Sequence, residues 1–288
     1  MKTILITGAS GQLGKCFEKL SSHYPEFDFL FTSSSELDIR KKCEVSQLFG
    51  AKHFDYCINC AAYTNVEKAE SEEEKAFAIN AEAVKNLAEV CHSSNTMLFH
   101  FSTDYVFNGE AKIPYSEGDK TNPINVYGAS KLKGEENIKK LADKYFIFRT
   151  SWLYSEFGHN FFRTILKKAE EGAQLKITTA QIGTPTNAND LARLVLQLIA
   201  SENDEVGLYH FSNEGQATWY DFAEEILKIS GNSKTVELEK SNEYRTVAKR
   251  PGYSVLSKKK VKENLNFEVP HWKKSLQGLY FSAVSAKE

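Results

Sequence analysis

The 288-residue chain is poor in cysteine, proline and methionine, with five, six and two of each. Five thiols (Cys16, Cys43, Cys57, Cys60 and Cys91) are an odd number, which leaves no even disulfide framework and fits a reducing compartment. The pair Cys57-x-x-Cys60 sits in an apolar, strand-like stretch with no second pair and no nearby His. It reads as buried thiols, and no metal is expected. Neither charge sign is in excess: 36 Lys and Arg against 38 Asp and Glu give a net charge of −2. That excludes the broad basic field on which nucleic-acid or anionic-membrane binding depends. No apolar run approaches the roughly 18 residues of a bilayer span. Met1-Lys2 leads directly into a strand-like segment with no leader pattern. The expectation is a cytoplasmic protein with no nucleic-acid or membrane partner. What the chain does have is aromatic bulk, 19 Phe and 13 Tyr, enough for a substantial folded core.

Short apolar runs alternate with helical patterns through the first half. Strands are predicted at Thr3–Ile6, Phe27–Phe31, Phe54–Asn59, Met97–Ser102 and Tyr145–Arg149, with a helix from about Gln12. Ala76, Ile79, Ala83, Val84, Leu87 and Cys91 recur at helical spacing. This rhythm predicts an α/β fold, a Rossmann-type doubly wound parallel sheet with a smaller C-terminal substrate lobe. Residues 1–151 are read as the dinucleotide-binding domain, with 177–200 packing back on it, and 152–288 as mainly the substrate lobe. In that lobe, helices are predicted over Asn160–Glu171, along the Leu191, Leu194, Val195, Leu198 and Ile199 stripe, and from an N-cap at Thr218 through Trp219, Phe222, Ile226 and Ile229. Leu175–Thr178 reads as a short strand, and the tail with Lys258-Lys259-Lys260 shows little pattern.

Thr7-Gly8-Ala9-Ser10-Gly11-Gln12-Leu13-Gly14 lies between the first strand and the first helix. Gly8 permits a tight turn, Gly11 lets backbone approach a pyrophosphate, and Gly14 lets helix and strand pack closely. The helix N-terminus offers free N–H groups to phosphate. The loop, with Ser10, Gln12 and Leu13, is therefore a candidate cofactor site. After the second strand come Thr32-Ser33-Ser34-Ser35, then Asp38-Ile39, which is placed against the adenine. Hydroxyls there favour NADPH without excluding NADH, although no Arg is recognised to clamp a 2′-phosphate. Ala61 and Ala62 follow the third strand, where small residues let a cofactor approach; Tyr63 and Thr64 border cofactor and substrate.

Tyr127-Gly-Ala-Ser-Lys131 places a phenol and an ammonium on one helix face. A free phenol titrates at about 10, and an adjacent Lys⁺ lowers that value and makes it a usable general acid. Lys131 can also bind a nicotinamide ribose. Thr103, at the end of the fourth strand, can polarise a substrate carbonyl beside Tyr127, because ligands bind at the carboxyl ends of such strands.

Taken together, Thr7–Gly14, Leu37-Asp38-Ile39, Asn59–Thr64, Ser102-Thr-Asp-Tyr-Val-Phe107, Pro123-x-x-x-Tyr127-Gly-x-Ser-Lys131, Arg149-Thr-Ser-Trp152, Gln181-Ile-Gly-Thr-Pro-Thr186 and Arg250-Pro251-x-x-Ser254 resemble the extended short-chain dehydrogenase/reductase family. Within it they resemble the dTDP-4-dehydrorhamnose reductases along nearly the whole chain. The glycine loop and YxxxK are shared by the superfamily; the Ser-Thr-Asp-Tyr-Val-Phe, Gln-x-Gly-x-Pro-Thr and Arg-Pro stretches are more specific. The resemblance implies reduction of the C4 ketone of dTDP-4-dehydro-β-L-rhamnose by NADPH, with Tyr127 as acid, Thr103 holding the oxygen and Lys131 tuning Tyr127. It implies a dTDP-sugar site including Thr64, Asp104, Tyr105 and Trp152, with Asn160, Arg163 and Arg250 towards the diphosphate.

It also raises a homodimer. However, Lys15 stands where some members carry a Glu used in a Mg²⁺-bridged dimer, and Thr178-Thr179-Ala180 replaces residues that are often acidic. Both departures count against Mg²⁺ and that dimer. Three other readings stay open: a reductase or epimerase of another nucleotide deoxy-keto-sugar, or a non-catalytic regulatory subunit of the methionine adenosyltransferase type.

Overall fold

A computed structural model describes residues 1–242 and 246–285. Five strands, β1 (Lys2–Thr7), β2 (Phe27–Thr32), β3 (Tyr56–Asn59), β4 (Met97–Thr103) and β5 (Tyr145–Thr150), pair in parallel in the order β5-β4-β3-β1-β2. A sixth strand, Gly207–His210, adds in parallel to the free edge of β5, with Tyr209 opposite Phe148. This is a Rossmann-type α/β sheet. The sequence reading does not mark the sixth strand: four residues beginning with Gly carry almost no period-2 signal.

The strands bury both faces, so alternate residues enter separate cores. Ile4, Ile6, Ile58, Phe99, Phe101, Phe146 and Phe148 face α1 (Gln12–Ser21) and the helix Ala188–Ala200. Leu5, Cys57, Leu98 and Ile147 face Val84 and Leu87 of the helix Ala83–Ser93 and Ile138 of the helix Val126–Leu141. Each such side chain contributes about 1.5–3 kcal/mol on burial. A third core, around Tyr154, Phe162, Phe222 and Trp272, joins the helices Phe161–Glu170, Trp219–Ile229 and Trp272–Ser285. Asn160 and Thr218 cap the first two, and Thr218 forms a reciprocal capping box with Asp221.

The stripe predicted as one helix from Ala76 to Cys91 is interrupted by a π turn over Ala78–Glu82. The wider turn brings the buried Asn80 amide onto both backbone polar groups of Tyr63 and onto the Ser130 hydroxyl. It also lets Gly134 approach: a Cβ there would lie 2.2 Å from the Asn80 carbonyl oxygen.

One ionic contact anchors the Val126–Leu141 helix to the sheet. Arg149 of β5 donates through Nε and Nη2 to the two oxygens of Glu135, at 2.9 and 2.7 Å, and the two side chains are only 2% and 0% exposed. Ser102 of β4 donates to the same carboxylate at 2.5 Å. His210, whose Nδ1 lies 3.0 Å from the Tyr115 carbonyl, turns its Nε2 lone pair to Arg149 Nη1 at 3.4 Å. Removing one partner strands a buried charge. Arg149→Leu is therefore expected to cost about 3–5 kcal/mol, read as a lower urea midpoint at unchanged slope. A loss below about 1 kcal/mol would show that the pair does not hold the helix.

Candidate active site

Two adjoining clefts open at the carboxyl ends of the strands, where an open parallel sheet binds its ligands. The first, about 370 Å³, is bounded by Gly8, Ser10 and Gly11 on one side and by Ser34, Asp38, Ile39 and Arg40 on the other, with Ala61 and Ala62 between. The second, about 470 Å³, continues from Gln12 and Leu13 past Thr103 and Tyr127 to Trp152 and Arg250.

The glycine loop fits a pyrophosphate on steric grounds. Gly8 has φ +66°, and a Cβ on it would lie 2.5 Å from the Ala61 nitrogen. At Gly11 an added Cβ would meet only the Gly8 carbonyl oxygen, at 3.1 Å, so the loop is thin where it faces the cleft. No side chain caps α1 and no acid stands in its first turn, leaving N–H groups for an anion. Gly14 serves packing, since a Cβ there would lie 2.6 Å from Ala9 Cα.

Asp38 and Ile39 both line the far end of the first cleft. Arg40, which the sequence reading passes over, folds back onto the same wall and grips the Asp38 carboxylate at 2.9 and 2.7 Å. The Arg40 hydrogen bond holds the Asp38 pKa below the usual carboxylate value. A guanidinium is thus available at this end, and the absence read from the sequence is corrected. Its only cue was a charge two residues beyond Asp38.

Thr103, Tyr127 and Lys131 converge on the second cleft, together with Thr64, Asp104 and Tyr105. Asn125 caps the Val126–Leu141 helix just before Tyr127. Thr103 Oγ1 accepts from the Tyr105 N–H and donates to Asp104 Oδ1 at 3.1 Å. Burial pushes the Asp104 carboxyl up to about 7, opposed by the neighbouring hydroxyls of Ser254 and Thr103; among the described residues no group lies within hydrogen-bond geometry of its buried Oδ2. Burial likewise pushes the Tyr127 phenol up to about 12, opposed by a hydrogen bond with Thr103 and reinforced by Asp104. Lys131 follows Tyr127 by one turn on the same helix, and its nearest recorded side-chain partner lies on the sheet. Its Nζ lies 3.5 Å from His100 Nε2 on β4, and burial lowers its pKa to about 8 despite Glu135.

The outer residues divide. Trp152, at φ +44°, stacks on Trp219 with ring centroids 3.7 Å apart and planes 10° from parallel, and Trp219 Nε1 donates to Gln181. Trp219 reads from sequence as a core position of its helix, yet it lines the cleft, as does His159. Arg250 reaches the cleft while paired with Glu67 at 2.8 Å. Asn160 also lines it, but its amide donates to Gln12, Ser155 and Phe157 while its Oδ1 caps the following helix. Its observed role is to join the glycine loop to the second half. Besides Gly14, which serves packing, two more predicted residues fall outside both linings. Tyr63 packs with Ala69 and Ala76, its hydroxyl on Glu72. Arg163 is exposed, with Nη1 on the Gly158 carbonyl. Among the described residues no group of three or more His, Cys, Asp or Glu is placed to hold a metal ion, and no helix is long and apolar enough to cross a membrane.

The family model described as RmlD substrate binding domain matches residues 1–283. The chain is 37% identical to the dTDP-4-dehydrorhamnose reductase of Aggregatibacter actinomycetemcomitans, over 97% of this chain and 98% of that protein. It is similar to the crystal structure of a dTDP-4-dehydrorhamnose reductase from Clostridium acetobutylicum, with TM-score 0.91 and 40% identity over 98% of this chain and 99% of the other. The Bacillus anthracis enzyme of that name, solved in complex with NADP, superposes with TM-score 0.93 at 36% identity, covering 98% of this chain and all of that one.

The indole stack depends on a missing side chain, since a Cβ at Gly183 would lie 2.7 Å from the Trp152 ring. Gly183→Ala is expected to push Trp152 off Trp219 and abolish the exciton signal of the stacked pair in circular dichroism. An unchanged spectrum would refute the arrangement.

Proposed function

The chain belongs to the RmlD family, that of the dTDP-4-dehydrorhamnose reductases, and on this premise we propose that its paired clefts carry out the final reduction to dTDP-β-L-rhamnose. The observation that carries the site assignment is the meeting of Thr103, Tyr127 and Lys131 in a cleft that Gly11, Gln12 and Leu13 of the glycine loop also line. NADPH supplies a hydride to C4 of dTDP-4-dehydro-β-L-rhamnose. Gly8, Ser10, Gly11 and the N-terminus of α1 hold its pyrophosphate, Ile39 borders the adenine, and Arg40 with Ser34 takes the 2′-phosphate. A guanidinium fork suits phosphate oxygens, and Arg40, about half exposed in its side chain, is free to leave Asp38.

Tyr127 donates its phenolic proton to the C4 oxygen as negative charge develops there, while the Thr103 hydroxyl orients that oxygen. A phenol held near 12 is protonated throughout the neutral range, as an acid should be before the reaction. Lys131, in its ammonium form, lowers the cost of the tyrosinate left behind. Arg250 faces the diphosphate, and Trp152 lies against the sugar. Asp104, with a pKa near 7 and a buried Oδ2 in hydrogen-bond geometry with no described residue, offers a hydrogen bond to a sugar hydroxyl. The enzyme is read as cytoplasmic, where NADPH and nucleotide sugars are made.

Two outcomes test this reading. Tyr127→Phe is expected to lower kcat by about 10²–10⁴-fold with NADPH affinity nearly unchanged. The assay follows absorbance at 340 nm with dTDP-4-dehydrorhamnose, and the product is identified by NMR; near-normal turnover would remove the proposed acid. Arg40→Ala is expected to weaken NADPH about tenfold and NADH less than about twofold, by coenzyme fluorescence titration. Equal losses for both coenzymes would place the 2′-phosphate elsewhere.

A further inference from the structure

Behind Lys131 lies a run of buried polar groups that the reduction does not use. His100 is fully buried on β4. Its Nε2 is 3.5 Å from Lys131 Nζ and its Nδ1 is 3.1 Å from Asn59 Nδ2. The Asn59 amide is fixed in orientation, because its Oδ1 accepts from the Ala61 backbone N–H at 3.2 Å and from Thr7 Oγ1 at 2.7 Å. A backbone N–H only donates, so the other end of the amide is the NH₂ group, which donates to His100 Nδ1. That nitrogen must present its lone pair. The single proton of the neutral ring is then on Nε2 and points at Lys131. Burial first, and the Lys131 charge second, hold the His100 pKa well below its usual value, so the ring stays neutral.

We propose that His100, oriented by Asn59, is a positioning residue that sets the protonation of Lys131: its Nε2–H opposes the ammonium until coenzyme ribose hydroxyls offer acceptors to Nζ. The inference rests on the coenzyme site assigned above, and not on the identity of the sugar. The other groups facing Lys131 do not supply such acceptors. Glu135, one turn further along the same helix, favours the ammonium at a distance, but its carboxylate is taken by Arg149 and Ser102. Tyr127, one turn earlier, stays protonated. Cys60, at the end of β3, is held as a thiol by burial. Asp104, beyond β4, acts on Tyr127. Two N–H donors meeting across 3.5 Å is thus the local condition at Nζ, and coenzyme binding at alkaline pH takes up a proton there.

The test is the pH dependence of the NADPH dissociation constant without sugar, read by fluorescence from pH 6.5 to 9.5. A misassigned sugar leaves this titration untouched. In the wild type, affinity is expected to fall as pH rises through about 8, where Lys131 loses its proton. His100→Leu removes the opposing N–H and is expected to raise that break by about one unit, a tenfold change in proton affinity. His100→Gln can accept from Asn59 and donate to Lys131, and should leave the break within about half a unit of the wild type. A merely structural role would weaken binding at every pH without moving the break. An unmoved break in His100→Leu overturns the proposal. Should that variant not fold, Asn59→Asp serves instead: a carboxylate there accepts from the ring, moves its proton to Nδ1 and turns a lone pair to Lys131. The break must then rise, and an unmoved break again overturns the proposal.

Discussion

The buried contact between Glu135 and Arg149 is the constraint from which the geometry of the site follows. Glu135 lies one turn beyond Lys131 on the helix that also carries Tyr127, and Arg149 belongs to β5. With Ser102 on the same carboxylate, the helix is fixed to β4 and β5 at once. The position of Tyr127 relative to Thr103, the residue after Ser102, is thereby set. Such a pair is not an economical source of stability, since desolvation offsets much of its attraction. What it provides is direction: two oxygens matched to two guanidinium nitrogens allow one rotation of the helix and one register.

A second theme is that burial is the leading influence on four titratable groups around and behind Thr103. It raises Asp104 and Tyr127, lowers Lys131 and His100, and each neighbouring charge acts as a correction. The spacing of Tyr127 and Lys131 on one helix face is a fact of sequence, and the direction in which the ammonium points is not. The ammonium lies beside His100, 31 residues earlier in the chain, which no helical period brings to notice.

The same division runs through the whole structure. The first five strands, the glycine loop, the cap at Thr218 and the clustering around Thr103 and Tyr127 were legible, because each depends on residues close in sequence. Strand Gly207–His210 was not, since a four-residue edge strand is defined by its partner β5 rather than by its own pattern. The π turn at Ala78–Glu82 was hidden because one extra backbone residue scarcely disturbs an apolar stripe. Arg40, His159 and Trp219 reach the clefts through loop or helix-end geometry, and Tyr63 and Arg163 leave them for the same reason. Asn160 was assigned to phosphate by analogy, whereas its amide is engaged entirely by protein.

That last contact bears on how the protein is made. Gln12 and Asn160 are 148 residues apart, and the strand beside β5 is contributed only after residue 206. During synthesis the amino-terminal half emerges first, yet its glycine loop lacks a bracing partner and its sheet lacks an edge until the distal segments arrive. Arg250 arrives later still. A ribosome-bound chain of 150 residues therefore holds the recognisable fingerprint of a nucleotide-binding protein without a finished nucleotide site. Bracing of the glycine loop is a late event of biogenesis, contributed by segments far along the polypeptide.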